Sequence, residues 1–344
     1  MATEKQKLNG RMIVMRTSVK ILLFLMTLLL VYGSVLTGCE SKTETGMETE
    51  QVTLLLDWTP NTNFSGFYAA IDEGYYLEEG LDVEIVQAPG SVVQMVAAGQ
   101  AHFGISYQEE VTYARLSDIP VISIAAILQQ NTSGFASLKD KGIETPVDFE
   151  GKRYGGWGSP VEEATIRALM ERYQADFNQV DMITTGEVDL LIVIEREADF
   201  AWIYYGWNGI EAKLKGMELN FIELRSLDPA LDYYTPVLIT GETLAETEPD
   251  LVKRFMRATE KGYMLAIENP ERAAAILLSH APELNEELVF ESQMWLADKF
   301  KADSPKWGEQ KRETWEAYSI WLFEQGLIER LPDSDSAFTN EFLR

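Results

Sequence analysis

Aromatic, amide and acidic side chains occur at the ends of several predicted strands, where open α/β sheets bind their ligands. The first set lies in residues 57–68, after an apolar strand, and comprises Trp58, Asn61, Asn63 and Tyr68. Similar side chains recur at later strand ends, where the candidates are Tyr107, Glu109, Trp157, Gly158, Glu187, Trp202, Tyr204 and Tyr205. Because ligands bind outside the carboxyl ends of parallel strands, these positions together predict one cleft.

The chemistry of these side chains suits a flat, nitrogen-rich ring. Aromatic side chains stack on the faces of such a ring, and carboxylates accept hydrogen bonds from its amino groups. A sugar is also compatible with this lining. A sulfonate, nitrate or phosphate instead needs basic residues or free backbone N–H groups at a helix N-terminus. Residues 156–158 offer such N–H groups, but Glu162 and Glu163 stand beside them.

Several of the candidates also have a structural interpretation. Trp202 lies within a predicted strand, where tryptophan is more often a core residue. Glu109 and Glu110 begin a predicted helix, where acidic side chains interact favourably with the helix dipole. Paired carboxylates can perform acid–base chemistry. The only histidines are His102 and His280, however, so no catalytic triad or metal-binding set accompanies the carboxylates.

The spacing of apolar residues and turn signals predicts strands that alternate with helices, which indicates an α/β fold with largely parallel sheets. Strands are expected at residues 52–56, 83–86, 102–106, 121–128, 181–184, 198–203, 221–224 and 233–239. Ser159 and Glu162 match a capping box, which predicts that a helix begins there. Further helices are expected at residues 66–76, 248–268, 270–280, 284–298 and 307–325.

Residues 1–38 have the pattern of a secretory signal peptide, in which a basic segment precedes a mostly apolar stretch at residues 21–36. That stretch ends in Leu-Thr-Gly-Cys, and Cys39 stands where the bacterial lipobox places its lipidated residue. We therefore expect residues 39–50 to form a flexible tether. Lipid on Cys39 would hold the protein at the extracytoplasmic face of the cell membrane. The alternative is a retained membrane anchor with a free thiol.

Charge and cysteine content exclude several classes of function. The formal net charge is −26, and about −30 without the signal peptide. This acidity argues against a nucleic-acid partner, because phosphate binding needs clustered Lys and Arg. A single cysteine excludes internal disulfides and thiolate metal clusters. The mature chain of about 300 residues is long enough for two domains of ordinary size.

Five segments of the chain together resemble one protein family. They are residues 57–63 (Asp-Trp-Thr-Pro-Asn-Thr-Asn), 106–110 (Ser-Tyr-Gln-Glu-Glu), 131–134 (Asn-Thr-Ser-Gly), 154–160 (Tyr-Gly-Gly-Trp-Gly-Ser-Pro) and 199–203 (Asp-Phe-Ala-Trp-Ile). Over about residues 50–325 the chain is similar to the ThiY-like substrate-binding lipoproteins of ABC transporters for thiamine pyrimidine precursors. These lipoproteins are related to the yeast-type thiamine pyrimidine synthases.

The resemblance implies a two-lobed periplasmic-binding-protein fold of type II. Each lobe would contain a mostly parallel sheet flanked by helices, and the C-terminal region would be helical. Residues 51–131 with residues 235–344 would form the first lobe, and residues 132–234 the second.

The resemblance further implies a binding protein without a cofactor. It would capture a formylaminopyrimidine-type ligand between the lobes and deliver it to an ABC permease and ATPase on separate chains. By position, the leading contacts would be Trp58, Asn61, Tyr107, Trp157, Glu187 and Tyr205. The alternatives are a riboflavin-like heterocycle or a sulfonate as ligand, a pyrimidine-processing enzyme of the envelope, or a sensor ectodomain. The eukaryotic-type enzymes use a cysteine-rich segment for iron, whereas residues 155–158 here are Gly-Gly-Trp-Gly, so we expect no catalysis.

Overall fold

The computed structural model describes residues 49–186 and 188–343. The predicted signal peptide, Cys39 and the tether up to residue 48 lie outside the described residues, as does Glu187. Within the described part of the chain, no helix is both long and apolar enough to cross a membrane.

The strands of the described residues form two five-stranded sheets. They are β1 (Glu50–Leu56), β2 (Leu81–Gln87), β3 (Phe103–Ser106), β4 (Val121–Ala126), β5 (Ser133–Leu138), β6 (Arg153–Gly156), β7 (Asp181–Thr184), β8 (Phe200–Tyr204), β9 (Leu219–Glu223) and β10 (Val237–Gly241). The first sheet has the order β2-β1-β3-β10-β4 and the second the order β7-β6-β8-β5-β9. In each sheet one strand, β10 or β5, runs antiparallel to both of its neighbours, and the remaining pairs are parallel. The predicted α/β fold with mostly parallel sheets is confirmed.

Helices flank both sheets, and most were expected from the sequence. They are α1 (Ser65–Asp72), α2 (Tyr75–Glu78), α3 (Val92–Ala97), α4 (Gln108–Leu116), α5 (Pro160–Arg172), α6 (Leu190–Arg196), α7 (Ile210–Leu214), α8 (Leu224–Leu227), α9 (Glu242–Thr247), α10 (Pro249–Glu268), α11 (Pro270–His280), α12 (Glu286–Leu296) and α13 (Arg312–Glu324). The single helix expected at residues 66–76 is divided into α1 and α2, because Gly74 lies between them with a φ of 73°.

The carboxyl ends of four strands position the predicted site loops. β1 pairs with β2 and β3, and its residues Leu54, Leu55 and Leu56 are buried, so the chain leaves the sheet interior directly into the loop at residues 57–64. β3 leads into α4 and β6 into α5, while β8 leads into a π-helical turn, Tyr205–Gly209. The expected capping box at α5 is present, since Ser159 Oγ accepts a hydrogen bond from Val161 N and the Glu162 carboxylate accepts one from Ser159 N.

One strand was missed by the sequence analysis. β5 has the sequence Ser-Gly-Phe-Ala-Ser-Leu, in which small and polar residues hide the strand pattern. It is nonetheless a central strand between β8 and β9, because Gly134 allows the backbone of the neighbouring Ile222 to approach closely. One expected strand is shorter than expected: the strand expected at residues 233–239 begins only at Val237.

The two passages of the chain between the sheets lie side by side. The first passage connects β4 to β5, and the second connects β9 to β10. Asn131 in the first passage donates from Nδ2 to Leu231 O and from its backbone N to the Asp232 carboxylate, both at 2.8 Å. Asn131 Oδ1 in turn accepts from Ser133 N at 2.9 Å. These hydrogen bonds hold the passages together at the base of the two lobes.

Each sheet has its own hydrophobic core, and α13 contacts more than one of them. Trp315 belongs to a cluster that packs on the first sheet, whereas Tyr318, Trp321 and Leu322 belong to the main core of the second sheet. The amphipathic helix α13 thus buries apolar side chains against both sheets.

Candidate ligand-binding cleft

Asp57 is the first side chain after β1, and part of its carboxylate is buried without a hydrogen-bond partner. Its Oδ1 atom has no donor within hydrogen-bond distance among the described residues. Burial raises the pKa of Asp57 to about 7, and the nearby negative charge of Glu110 adds to this shift. Loss of hydration at this carboxylate is the larger cause of the shift, and it outweighs the backbone N–H groups of Asp57 and Trp58, which favour the charged form.

Two more carboxylates lie in the first turn of α4, directly after β3. Burial raises the pKa of Glu109 to about 7, and the charges of Glu110 and Glu162 raise it further. Burial also raises the pKa of Glu110, although Ser106 Oγ donates a hydrogen bond to it at 2.8 Å. The helix N-terminus would favour both charges, but burial and mutual repulsion outweigh that contribution. We call Asp57, Glu109 and Glu110 the first-wall carboxylates.

Glu162, on α5 of the second lobe, is buried in a very different environment. Its side chain is 1% exposed and accepts hydrogen bonds from four donors. The donors are the Tyr154 hydroxyl and the backbone N–H groups of Trp157 (3.2 Å), Gly158 (2.7 Å) and Ser159 (2.7 Å). A Cβ atom at Gly156 would collide with Glu162 Oε1, so this close packing requires glycine at position 156.

Ionisable side chains at the strand ends of the two lobes influence one another. Tyr204 ends β8 in the second lobe, and burial together with the charges of Glu109, Asp57 and Glu162 raises its pKa. The pKa of Tyr107, in the first lobe, is likewise raised by burial and then by Asp57, Glu110 and Tyr204. Tyr107 and Glu109 of the first lobe and Tyr204 of the second are thus near enough for their charges to influence one another.

Exposed indole rings accompany these groups on both lobes. Trp58 follows Asp57 and is 49% exposed, and Trp157 at the start of the α5 loop is 38% exposed. The ring of Trp157 lies 5.7 Å from that of Trp202, at an interplanar angle of 57°. Trp202 itself is 2% exposed and packs on Phe135, which agrees with its structural interpretation. Trp58 and Trp157 therefore have accessible rings, whereas Trp202 is a buried residue that packs against Trp157.

The predicted amides shape the first loop. Asn61 Oδ1 accepts from Asn63 N and Asn61 Nδ2 donates to Thr59 O, both at 3.0 Å. The carbonyl oxygen of Asn63 accepts a hydrogen bond from the Tyr263 hydroxyl at 2.7 Å. The Asn61 side chain thus caps the short 3₁₀ turn Thr62–Phe64 and fixes the backbone that carries Asp57 and Trp58.

Three other predicted contacts, Tyr68, Tyr205 and Gly158, interact mainly with other parts of the protein. Tyr68 is 7% exposed and lies in the core of the first lobe, 5.2 Å from the His280 ring, so its inclusion among the ligand contacts is corrected. The reason is that α1 turns this side chain toward α11. The ring of Tyr205 packs between Phe221 and Trp295. Gly158, at a φ of 90°, directs its N–H to Glu162. Glu187 and Cys39 lie outside the described residues.

The sequence analysis did not select Asp57, Glu110 or Glu162 as site residues. Asp57 carries a usable signal, because it is the first polar residue after a fully apolar strand end. From the sequence Glu162 was expected to cap the helix and to stand beside the N–H groups of residues 156–158, but the capping box explains only one of its four hydrogen bonds. Glu110 was given a helix-dipole interpretation that ignored the neighbouring carboxylates.

The cleft is thus acidic on one wall and carries exposed rings on both. The charged groups that raise the pKa values of Asp57 and Glu109 are carboxylates. A donor or a positive charge placed between them would compensate their repulsion and lower these pKa values. Such a site can hold a flat molecule with amino groups.

The two sheets define a fold class, the two-lobed periplasmic-binding-protein fold. A solved member, the alkanesulfonate-binding protein SsuA from Xanthomonas axonopodis pv. citri bound to MOPS, superposes with a TM-score of 0.65 at 11% identity. The superposition covers 85% of this chain and 99% of that structure. The predicted two-lobed fold is confirmed.

Within that class the chain belongs to the NMT1/THI5-like family, whose model matches residues 61–273. It is 30% identical to the formylaminopyrimidine-binding protein of Halalkalibacterium halodurans over 89% of this chain and 94% of that protein. It is 25% identical to the 4-amino-5-hydroxymethyl-2-methylpyrimidine phosphate synthase THI13 of Saccharomyces cerevisiae over 86% of this chain and 89% of the enzyme. The family resemblance inferred from the five segments is confirmed.

Proposed function

We propose that this protein is the extracytoplasmic solute receptor of an ABC importer and captures a formylaminopyrimidine-type thiamine precursor between its lobes. The observation that carries this proposal is the set of first-wall carboxylates, which are half-buried with raised pKa values and stand near exposed indole rings in the sequence. Amino groups on a flat heteroaromatic ring are the chemical complement of both features.

The proposed ligand contacts follow from this geometry. Asp57 and Glu109 accept hydrogen bonds from amino groups of the ring, and Tyr107 and Tyr204, whose pKa values respond to these carboxylates, supply hydroxyls. Trp58 and Trp157 stack on its faces, as aromatic side chains do with heterocycles. The likeness to the formylaminopyrimidine-binding protein supports the choice of this ligand. Glu187 remains a proposed contact by its position in the sequence.

The second wall, formed by Glu162 and the loop at residues 157–159, argues against a sulfonate as the ligand. The backbone N–H groups that would bind an anion at the start of α5 already donate to Glu162. The likeness to the sulfonate-binding structure is a likeness of fold and does not extend to this site.

The proposed location and partners rest on the sequence. We propose that residues 1–38 are a signal peptide and that lipid on Cys39 anchors the protein at the outer face of the cell membrane. The permease and ATPase are proposed to be separate chains, and the lobe limits near residues 131 and 235 are part of the same proposal. We further propose that the ligand is released unchanged, in contrast to the synthase relatives.

The test is a ligand titration of the purified protein, in which tryptophan fluorescence and calorimetry report binding. We expect formylaminopyrimidine to bind with a dissociation constant of about 1 μM or below, and chromatography to recover it unchanged. Riboflavin and an aliphatic sulfonate serve as comparison ligands. Binding of either one in the absence of formylaminopyrimidine binding would contradict the proposed ligand, and ligand turnover would contradict the receptor role.

A further inference from the structure

The start of α5 has the construction of an anion-binding site. A loop at residues 157–159, which contains Gly158, leads from β6 into a helix of 13 residues, and its three successive backbone N–H groups converge with a tyrosine hydroxyl. Convergent N–H groups at a helix N-terminus bind phosphate and similar anions in many proteins. Here the anion that they bind is the carboxylate of Glu162, from the same chain.

Helix capping alone does not explain this arrangement. A capping box requires Glu162 to accept from Ser159 N only. Glu162 also accepts from Gly158 N, Trp157 N and the Tyr154 hydroxyl, and Gly156 lacks the side chain that would displace it. The carboxylate is therefore held as a bound anion would be, with every convergent donor already used.

The occupied site belongs to the cleft. Trp157, whose N–H donates to Glu162, carries one of the two exposed indole rings. The charge of Glu162 also acts on Glu109 across the gap and on Tyr204 beside it. A negatively charged group on a ligand in this cleft would find the backbone donors taken and would be repelled by the same charge.

We propose that Glu162 acts as a built-in anion that makes the receptor reject phosphorylated or sulfonated ligands and so select the unphosphorylated pyrimidine. This inference rests on the proposed function and adds a specificity-determining residue to it. The discrimination is relevant within the family, because the synthase relatives are named for a phosphate ester of the same kind of ring.

The first experiment tests the anion site without a pyrimidine. Glu162→Ala is compared with wild type, with the conservative Glu162→Gln, and with Glu163→Ala as the matched control. Glu163 lies in the same first turn but is exposed and pairs with Arg167. Thermal unfolding is measured in sodium chloride and in sodium phosphate of equal ionic strength.

We expect Glu162→Ala to unfold at a lower temperature than wild type and to recover part of this loss in phosphate. Wild type and Glu163→Ala should show no such phosphate-specific gain, because Glu162 still accepts from the donors in both. Glu162→Gln should gain less than Glu162→Ala, because its amide still fills the site although only its oxygen can accept. Equal responses of Glu162→Ala and Glu163→Ala to phosphate would overturn the proposal.

The second experiment measures how strongly the protein prefers the unphosphorylated pyrimidine to its phosphate ester. It also covers the case in which Glu162→Ala does not fold. Calorimetry compares 4-amino-5-hydroxymethyl-2-methylpyrimidine with its phosphate ester. We expect wild type to prefer the unphosphorylated ring by about 100-fold or more, and Glu162→Gln to narrow this ratio by at least about tenfold, since like-charge contact costs several kcal/mol in a desolvated site. An unchanged ratio in Glu162→Gln, or equal affinities in wild type, would overturn the proposal.

The two experiments separate the two claims. If neither pyrimidine binds wild type but phosphate restores Glu162→Ala, the proposed ligand is wrong and the occupied anion site stands. If the unphosphorylated ring binds wild type but Glu162 variants neither recover in phosphate nor change the ratio, the proposed function stands and the role of Glu162 is wrong.

Discussion

Asp57 and Glu162 are carboxylates of one cleft, but their surroundings are opposite. Glu162 accepts four hydrogen bonds, three of them from backbone N–H groups whose positions α5 fixes. Asp57 Oδ1 is buried with no donor among the described residues, and burial raises the pKa of Asp57 to about 7. Because a desolvated carboxylate is costly until donors reach it, the second wall is complete without a ligand and the first wall is not.

This difference indicates where the binding free energy arises. A ligand that donates hydrogen bonds to the first-wall carboxylates replaces the hydration that they have lost, whereas one that approaches Glu162 can only displace donors from it. Similar side chains thus have separate proposed roles. Asp57 and Glu109 accept hydrogen bonds from the ligand, and Glu162 disfavours ligands that carry a negative charge.

The largest expected effect is that of Asp57→Asn on ligand affinity. The substituted amide presents an N–H₂ group or a weaker acceptor to the ligand's amino group, so affinity should fall by about 100-fold, or about 3 kcal/mol. Calorimetry with formylaminopyrimidine measures it. Asp82→Asn is the control, since Asp82 is an exposed carboxylate on β2 that accepts from Gln51. A loss below about threefold would show that Asp57 does not receive the ligand.

Removing a donor to Glu162 should lower the stability of the protein. Tyr154→Phe removes the hydroxyl donor to Glu162 in a buried site, which should lower the free energy of unfolding by about 2 kcal/mol, as expected for a hydrogen bond to a charged group. Urea unfolding measures this change, with Tyr173→Phe at an exposed tyrosine as the control. If Tyr154→Phe left stability unchanged, Glu162 would not depend on its donors in the way described.

Replacing the ring on the first wall should have a smaller effect on binding. Trp58→Ala removes one stacking surface and should weaken ligand binding about tenfold, or about 1.4 kcal/mol, while Trp58→Phe should retain part of the affinity. Fluorescence cannot report on a removed indole, so calorimetry is used. Phe323→Ala, at a similarly exposed ring on α13, is the control. Unchanged affinity in Trp58→Ala would mean that this ring is not part of the binding surface.

The smallest effect expected is a pH dependence of the unliganded protein. The pKa values of Asp57 and Glu109 lie near 7, above their ordinary values of 3.8 and 4.5. The folded protein therefore holds protons that the unfolded chain releases, so the stability from these groups falls as the pH rises from about 4 through about 7.

Asp57→Asn isolates this contribution from the other acidic groups. Relative to wild type, the variant should gain at least about 1 kcal/mol of stability between pH 5 and pH 8, because the variant has no carboxyl group at this position to lose its proton. Urea unfolding at both pH values checks it. A variant whose stability relative to wild type does not change with pH would show that Asp57 is ionised normally.

Local patterns in the sequence were sufficient for most of the fold. The apolar run before Asp57 and the capping box at Ser159 both correspond to observed elements. β5 was missed because its small residues are selected by close packing between β8 and β9, which no local pattern reveals. The position of Tyr68 was mistaken for the same reason, since the contact of its ring with His280 depends on how two distant helices pack.

The state of the carboxylates was harder to predict than their presence. Glu109 was selected from its place after a strand, but the raised pKa values of Asp57 and Glu109 arise from segments that meet only in the folded protein. For Glu162 the sequence indicated the bond to Ser159, whereas the bond from Tyr154 depends on how β6 and α5 pack. The sequence shows where carboxylates lie along the chain. Which hydrogen-bond donors reach each carboxylate depends on how distant segments pack.

A crystal structure of the complex with formylaminopyrimidine tests the central claim most directly. The predicted result is an amino nitrogen of the ring within about 3 Å of the Asp57 or Glu109 carboxylate, with Glu162 still bound to its own four donors. A ring whose amino groups face solvent while Asp57 Oδ1 stays without a donor, or a Glu162 that leaves its donors to contact the ligand, would contradict the assignment of the two walls.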